Sequence, residues 1–225
     1  MEFVSFHSDE AQLRAARYFL EDSLKGAEHP TIALSGGRTP LPLYADLARQ
    51  QLITPFPVEF YLVDERCVPL VDQASNYHNI TEAFRPASRA FLDHFHFFDV
   101  SLAPSKAAEK YAEELQTLPR GVFDVVILGI GNDGHTASLF PGSAANREEK
   151  ALAVHAINEH TDQVPIRDRL TITWPVILAA KRILVLAGKG KGEVIEELRN
   201  GIKKFEEFPV HRLESHSHCA IYFLS

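Results

Sequence analysis

The sequence predicts a three-layer α/β fold, with helices on both faces of a mostly parallel, doubly wound sheet. Short apolar runs that end in glycine-rich turns, such as 123–128, are typical of strands buried in a parallel sheet. These runs alternate with segments of helical periodicity along the chain, as they do in proteins built from βαβ units. Because no repeat, low-complexity tract or Pro/Gly-rich linker interrupts the 225 residues, we expect one domain over 1–225.

Capping residues support the predicted helix starts. Ser8 or Asp9 can cap the first helix and Ser75 or Asn76 the third, since their side-chain oxygens accept hydrogen bonds from free amides. Pro40 fits the first turn of the second helix, where its missing N–H is not needed. The predicted strands are 3–6, 31–34, 59–63, 123–128, 152–157, 183–187 and 219–224. The predicted helices run from 8 or 9 to 24, 41–50, from 75 or 76 onward, 105–117, 175–180 and 190–200.

An acid and a base follow the predicted strand 123–128. Asp133 and His135 lie in its glycine-rich terminal turn, and open α/β sheets place their ligands at such carboxyl strand ends. Three glycines, Gly129, Gly131 and Gly134, let the backbone take positive φ and approach a ligand closely. A carboxylate beside an imidazole is the arrangement that general-base catalysis uses. A structural turn in which the histidine only caps a neighbouring group is the alternative.

Two further strand ends predict anion-binding loops. Strand 31–34 runs into Ser35-Gly36-Gly37-Arg38-Thr39 before a helix start, and backbone amides in such a loop bind anions. Strand 183–187 runs into Gly188-Lys189-Gly190-Lys191, whose last lysine suits a phosphate. The first of these loops matches neither a Walker P-loop nor a G-x-G-x-x-G fingerprint, so nucleotide binding is not predicted there. An ordinary strand–turn–helix connection is the alternative for this first loop.

Three consecutive charged residues, Asp64, Glu65 and Arg66, follow the predicted strand 59–63. Such a run directly after a buried strand indicates a polar pocket for Asp64 and Arg66. For Glu65 we expect a solvated loop.

Composition excludes several classes of function. The formal charge of −7 gives no basic surface for nucleic acid, so an anionic substrate must be bound by local cations. No apolar run reaches membrane-spanning length, and no signal peptide is visible at the N-terminus. Two cysteines, Cys67 and Cys219, are too few for a disulfide framework, which favours a reducing cytoplasm. We expect a monomer or a small homo-oligomer.

Two histidine-rich segments do not have the spacing of a metal site. His94 and His96 alternate as they would on a strand, and His211, His216 and His218 are expected in a solvated loop. Neither a CxxC partner nor an HExxH spacing accompanies them, so no metal is predicted. No G-x-S-x-G nucleophile elbow occurs, which argues against a serine hydrolase.

Six motifs occur in order along the chain. They are SGGRTP (Ser35–Pro40), VDERCVP (Val63–Pro69), SN (Ser75–Asn76), LGIGNDGHTASLFPGS (Leu128–Ser143), RLT (Arg169–Thr171) and GKGK (Gly188–Lys191). Together they resemble the 6-phosphogluconolactonases, in the superfamily that includes glucosamine-6-phosphate deaminase. The resemblance covers about residues 3–200 and implies a modified Rossmann-like fold. The deaminases carry a glutamate five residues after the histidine, where this chain has Phe140, which favours the lactonase branch.

The resemblance implies hydrolysis of 6-phospho-D-glucono-1,5-lactone to 6-phosphogluconate in the oxidative pentose phosphate pathway, without a cofactor. His135 is then expected to act as the general base that activates water. Asp133 or Asp64 is expected to orient its imidazole.

The same resemblance implies a phosphate site made from distant segments. Arg169 and Lys191 are expected to bind the phosphate, with Arg38 and Arg66 as further candidates. The other expected substrate-binding residues are Ser35, Gly36, Gly37, Thr39 and Asn76.

Two other functions remain open from the sequence. An aldose–ketose isomerase or deaminase would use Asp64 to abstract a proton, and Phe140 weighs against it. A non-catalytic phosphosugar-binding module is the second, and the presence of both Asp133 and His135 weighs against it.

Overall fold

The computed structural model describes residues 1–50, 56–159, 166–201 and 203–225. Within these ranges the strands are β1 (Glu2–Phe6), β2 (Thr31–Leu34), β3 (Glu59–Leu62), β4 (Asp64–Arg66), β5 (Phe95–His96), β6 (Val125–Gly129), β7 (Ala153–Ile157), β8 (Asp168–Ile172), β9 (Arg182–Ala187) and β10 (Cys219–Leu224). The α-helices are α1 (Asp9–Ser23), α2 (Leu41–Arg49), α3 (Asn76–Ala83), α4 (Ser88–Leu92), α5 (Pro104–Leu115), α6 (Trp174–Ala179) and α7 (Gly192–Asn200). Short 3₁₀ turns lie at 85–87, 119–121, 145–147 and 209–215.

The main sheet is parallel, as the sequence predicts. Its seven strands follow the order β1-β10-β9-β6-β2-β3-β5, and every neighbouring pair is parallel. From β2 the chain moves outward through β3 to β5, whereas from β6 it moves outward the other way through β9 to β10. The strand order therefore reverses between β2 and β6, and a crevice opens at the carboxyl ends of strands at such a switch point.

A second sheet was not predicted from the sequence. It has three antiparallel strands in the order β4-β8-β7. The predicted strand 152–157 exists but belongs to this small sheet, while 64–66 forms a strand where a loop was expected. Val63 joins the two sheets, because its N–H donates to the Leu34 carbonyl and its carbonyl accepts from Ile172 N–H. The small sheet thus begins where the main-sheet strand β3 ends.

The core lies around the central strands. Every residue of β2 is buried, and β6 and β9 are buried along nearly their whole length, as expected for strands covered on both faces. Two predicted caps are confirmed: Ser8 Oγ accepts from Ala11 N–H at 3.2 Å, and Ser75 Oγ accepts from His78 N–H at 3.1 Å. None of the described helices combines the length and the apolar character that crossing a membrane requires.

The histidine-rich segments differ from each other. His96 lies on β5 with His94 directly before it, and both contact the Glu59 carboxylate, so their alternation is confirmed. The expectation of a solvated loop is wrong for His211 and His216, which are 7% and 8% exposed. His211 lies in the buried 3₁₀ turn 209–215, and His216 Nε2 bonds to a main-chain carbonyl. Among the described residues, no cluster of His, Cys, Asp or Glu could hold a metal ion.

Candidate active site

A cleft of about 270 Å³ lies at the carboxyl ends of the main-sheet strands β2, β3, β6 and β9. Its lining includes all the predicted site residues except Asp133, namely Ser35, Gly36, Gly37, Arg38, Thr39, Asp64, Arg66, Asn76, His135, Arg169 and Lys191. Pro40, Gly129, Ile130, Gly131, Thr136, Ala137 and Phe140 complete it. The switch point of the main sheet and the nearby small sheet therefore bring these distant segments together.

His135 is held by Asp133, which lies directly beside the cleft. Its Nδ1 bonds to Asp133 Oδ1 at 2.6 Å, and its backbone N–H donates to the same oxygen at 3.1 Å. Burial acts to raise the pKa of Asp133, but the hydrogen bonds and charge of His135 outweigh it and hold that pKa below its usual value. With Nδ1 engaged, Nε2 is the ring nitrogen left for chemistry in the cleft.

The turn that carries this pair depends on two glycines. A Cβ atom on Gly131 would lie 2.2 Å from His135 Nδ1 and 2.6 Å from Asp133 Oδ1, so only glycine leaves room for the pair. Gly134 has a φ of +78° and packs against the Phe208 ring. On the other side, the Phe140 ring lies 4.8 Å from the imidazole, centroid to centroid. The imidazole is therefore fixed from several sides.

Asp64 occupies a different environment from Asp133. It is 6% exposed, accepts a hydrogen bond from Ser138 Oγ at 2.7 Å and accepts another from Asn76 Nδ2 at 3.2 Å. Of the two carboxylates, Asp133 is thus the one bonded to His135. Sequence reasoning did not single out Ser138 or Asn132, which bonds to Lys191, although both are polar residues within the Leu128–Ser143 motif.

Three buried polar atoms on the cleft residues have no hydrogen-bond partner among the described residues. They are Ser35 Oγ, Arg66 Nε and Asn76 Oδ1. Buried polar atoms are nearly always hydrogen-bonded in folded proteins. A ligand with hydroxyl groups and an anionic group could satisfy all three, because they include acceptors and a charged donor.

Two arginines lie directly opposite each other on neighbouring strands of the small sheet. Arg66 on β4 is the direct register partner of Arg169 on β8, a placement that is destabilising for like charges. Burial and then the Arg66 charge lower the pKa of Arg169 to about 10. Arg169 Nε donates to the Ile166 carbonyl at 2.9 Å, and Arg66 Nη1 donates to the Ala74 carbonyl at 2.5 Å. An anion bound between the two guanidinium groups would offset their repulsion.

Two more cations come from the Gly-rich loops. Lys191 immediately precedes α7, and its Nζ donates to Asn132 Oδ1 at 2.5 Å. Burial lowers the pKa of Lys191, while Asp133 counteracts that effect. Arg38 is exposed and forms no ion pair with a described residue. The cleft therefore carries four cationic side chains in a protein whose formal net charge is −7.

The expectation that Glu65 lies in a solvated loop is wrong. Its side chain is 0% exposed, because β4 pairs with β8 and the start of α3 packs on β4. The carboxylate accepts hydrogen bonds from Ser75 Oγ and from the backbone amides of residues 66, 76 and 77. These four donors explain how the carboxylate can be buried although it forms no ion pair with a described residue.

Comparison with known proteins places the chain in one family. The model of the glucosamine-6-phosphate isomerases/6-phosphogluconolactonase family matches residues 8–222. The chain is 35% identical over 178 residues to a 6-phosphogluconolactonase of Thermotoga maritima, covering 78% of this chain and 76% of that protein. It is 32% identical over 202 residues to a 6-phosphogluconolactonase of Haemophilus influenzae, covering 87% and 85%.

Solved structures of related proteins have a similar fold. The 6-phosphogluconolactonase of Leishmania guyanensis superposes with a TM-score of 0.83 at 29% identity, covering 99% of this chain and 95% of that one. A monomeric glucosamine-6-phosphate deaminase has the same fold, with a TM-score of 0.83 at 22% identity, covering 100% of this chain and 97% of that one. The chain belongs to the family of glucosamine-6-phosphate isomerases and 6-phosphogluconolactonases.

Proposed function

We propose that this protein is a 6-phosphogluconolactonase of the oxidative pentose phosphate pathway. It would hydrolyse 6-phospho-D-glucono-1,5-lactone to 6-phosphogluconate without a metal or cofactor. The observation that carries the proposal is the His135–Asp133 pair in a cleft with four cationic side chains. The relatives named 6-phosphogluconolactonase support the same reaction.

In the proposed mechanism, His135 acts first as a base and then as an acid. Its Nε2 takes a proton from a water molecule whose oxygen attacks C1 of the lactone. The Asp133 carboxylate, bonded to Nδ1 at 2.6 Å, stabilises the imidazolium that forms. The tetrahedral intermediate then collapses, the bond between C1 and the ring oxygen breaks, and the imidazolium returns the proton to that oxygen. A δ-lactone is an activated ester, so the reaction needs no covalent intermediate.

The Gly36-Gly37 loop is proposed to stabilise the intermediate and the sugar. Its amides follow β2, the histidine turn follows the neighbouring parallel strand β6, and both segments line the cleft. Backbone amides placed in this way stabilise the negative charge that develops on a carbonyl oxygen. The unpartnered Ser35 Oγ and Asn76 Oδ1 support binding of sugar hydroxyls, with Thr39 on the same loop.

Arg169 and Lys191 are proposed to bind the phosphate, assisted by Arg66 and Arg38. The direct pairing of Arg66 with Arg169 supports this assignment, because an anion relieves their repulsion. Lys191 at the start of α7 adds a cation where a helix N-terminus already favours an anion.

The test is a lactone-hydrolysis assay run beside a glucosamine-6-phosphate deamination assay on the same preparation. We expect hydrolysis of 6-phosphogluconolactone well above its spontaneous rate and no deamination. The apolar Phe140 ring against His135 supports this outcome, since it puts no acid beside the imidazole on that side. Deaminase turnover without lactonase activity would overturn the proposal, and substrate binding without turnover would show a non-catalytic module.

We also propose that the protein acts in the cytoplasm. Cys67 and Cys219 are free thiols, which fits a reducing compartment. Cell fractionation with an antibody against the protein tests this, and recovery from the lumen of a secretory compartment would contradict it.

A further inference from the structure

The Glu65 carboxylate is buried behind the cleft without lining it. Its neighbours in the chain, Asp64 and Arg66, both line the cleft. Oε1 accepts from the backbone N–H groups of Arg66 at 2.6 Å and Asn76 at 2.7 Å. Oε2 accepts from Tyr77 N–H at 2.8 Å and from Ser75 Oγ at 2.9 Å. Each carboxylate oxygen therefore accepts two hydrogen bonds.

These bonds join two consecutive elements of the chain, the strand β4 and the helix α3. β4 carries Asp64 and Arg66, whereas Asn76 is the first residue of α3. A carboxylate at a helix N-terminus is favoured by the helix dipole, and hydrogen bonds to an ionised acceptor are stronger than neutral ones. Burial raises the pKa of Glu65, and the four hydrogen bonds act in the opposite direction. The carboxylate thus links β4 to α3.

The position of Asn76 has little freedom. Its Nδ2 donates to the Asp64 backbone carbonyl at 2.7 Å and to Oδ1 of the same residue at 3.2 Å. A Cβ atom on Gly36 would lie 1.9 Å from Asn76 Oδ1, so the amide packs directly on the Gly-rich loop. A shift of the α3 start by a few tenths of an ångström would disturb the contacts that Asn76 makes with Asp64 and Gly36.

We propose that Glu65 is a positioning residue for ligand binding, whose carboxylate fixes the places of Asn76 and Arg66 in the cleft. It touches neither the substrate nor the reacting atoms, and it acts only through these two residues. Insofar as the ligand is a phosphorylated lactone, the inference rests on the proposed function. The link between β4 and α3 does not depend on the reaction.

The Glu65→Gln variant keeps the shape and removes the charge. Whichever way the new amide is turned, its NH₂ group faces at least one backbone N–H, which then loses its acceptor. We expect KM for 6-phosphogluconolactone to rise roughly 10-fold or more, as for a lost charge-assisted bond. We expect kcat to change by less than about 3-fold, since the His135–Asp133 pair lies on another segment.

Asp124→Asn is the matched control. Asp124 is also a buried carboxylate, 1% exposed, but it precedes β6 at the opposite end of the sheet and bonds to Thr31 and Lys181. Its loss should lower the melting temperature and leave KM unchanged. Ser75→Ala removes one of the four donors to Glu65 and should give a smaller rise in KM, which keeps the proposal testable if Glu65→Gln does not fold.

Calorimetric binding of inorganic phosphate separates this inference from the proposed function. We expect weaker phosphate binding in Glu65→Gln than in wild type and Asp124→Asn, whether or not the wild-type protein hydrolyses the lactone. If Glu65→Gln is destabilised like Asp124→Asn but binds phosphate and lactone as tightly as wild type, Glu65 is only structural and the proposal is wrong.

Discussion

At the scale of single residues, Asp64, which lines the cleft, and Asp133, which lies beside it, have different hydrogen-bond partners. Oδ1 of Asp133 accepts two hydrogen bonds from His135, one from its backbone N–H and one from its ring Nδ1. Asp64 instead accepts from a serine hydroxyl and an asparagine amide. A carboxylate bonded to the imidazole can stabilise its cation, whereas one bonded to neutral donors is suited to holding a sugar.

Replacing His135 with Ala or Asn should lower kcat by roughly 10²–10⁴-fold, the usual contribution of a positioned general base. KM should change much less, because the proposed phosphate anchors lie on other segments. Steady-state kinetics on the phosphorylated lactone measures both. His94→Asn is the control, since His94 is also paired with a carboxylate, Glu59, but lies at the far edge of the sheet. A decrease in kcat of only a few-fold would show that a group other than His135 is the base.

Arg169→Ala and Lys191→Ala should each lower kcat/KM for the phosphorylated lactone by about 10–150-fold, the range for losing one charge-assisted bond. The unphosphorylated glucono-δ-lactone should be affected much less, because it never makes the contact. Lys189→Ala is the control in the same loop, since Lys189 is 79% exposed and lies 3.3 Å from Asp9. Equal proportional losses on the two lactones would show that these cations do not bind the phosphate.

Sequence reasoning found the cleft residues where the interaction is local or the residue type is distinctive. Asp133 and His135 are two positions apart, so their contact follows from one glycine-rich turn. The surroundings of Glu65 could not be predicted in this way, because three of its four hydrogen-bond donors lie on another segment about ten residues later. The pairing of Arg66 with Arg169 depends on a sheet register that no local pattern specifies.

At the scale of elements, the turns at the strand ends position the side chains of the site. The glycine-rich turn after β6 shows how little space is left around such side chains. Gly131 has no room for a Cβ atom, whereas a Cβ on Gly129 would meet nothing within 4 Å. The two glycines are two positions apart, and neither has a positive φ that would itself exclude alanine. Space alone distinguishes them.

Gly131→Ala should therefore displace the His135–Asp133 pair and lower kcat by 10-fold or more, since the general base loses its position. Gly129→Ala should keep kcat near the wild-type value. Steady-state kinetics combined with an NMR titration of the His135 ring measures both effects. Similar activity in the two variants would show that the turn tolerates a side chain at 131.

The short strand β5 is tied to the sheet and to α5 by a histidine between two carboxylates. His96 Nδ1 donates to Glu114 at 2.5 Å and Nε2 donates to Glu59 at 2.9 Å, while the ring stacks on Tyr61 at 4.1 Å. Burial acts to lower the pKa of His96, but its hydrogen bonds to Glu114 and Glu59 outweigh it and raise that pKa. Burial acts to raise the pKa of Glu59, and the two histidines hold it below its usual value.

The stability of this cluster should depend on pH in a defined direction. A raised histidine pKa contributes stability below the unfolded value of about 6.5 and loses it as pH rises through the folded pKa. The lowered pKa of Glu59 contributes stability above about pH 4.3, and that stability is lost as the pH falls further. We expect the melting temperature of wild type to fall more than that of His96→Asn between about pH 6 and pH 8. Parallel curves for the two proteins would contradict this.

The main-sheet strands were predicted well because β2, β6 and β9 are apolar and bounded by glycine. The small sheet was missed for the opposite reason. β4 consists of three charged residues, and β8 begins with two. Their strand conformation comes from antiparallel pairing with each other rather than from intrinsic propensity, and a sequence window does not report that pairing.

At the scale of the whole molecule, an acidic protein presents a cationic cleft. The formal charge of −7 repels anions at a distance, so the proposed affinity for phosphate would have to come from the four cleft cations. Arg66 and Arg169 are direct partners on neighbouring strands, and the repulsion between their like charges is a cost to the fold. A bound anion removes that cost, so folding and anion binding are coupled.

Inorganic phosphate should therefore raise the melting temperature. A single-site ligand at 100 times its Kd stabilises by about 2.7 kcal/mol, equivalent to about 5–10 °C for a protein of this size. Thermal unfolding in phosphate and in chloride of equal ionic strength measures the specific effect. Arg169→Ala should show a much smaller shift, and an equal shift in the two salts would indicate general screening instead.

The placement of β1 next to β10 sets an order of events for a chain emerging during synthesis. β1 is made before every other described strand, yet its pairing partner, residues 219–224, is made after all of them. α1 has the same dependence, because Gln12 Nε2 bonds to the carbonyls of Ala187 and Tyr222 at the ends of β9 and β10. Contacts of such long sequence separation form slowly, so assembly should begin among β2, β3 and β6. Among the described elements, β1 and α1 should then be among the last to form their native contacts.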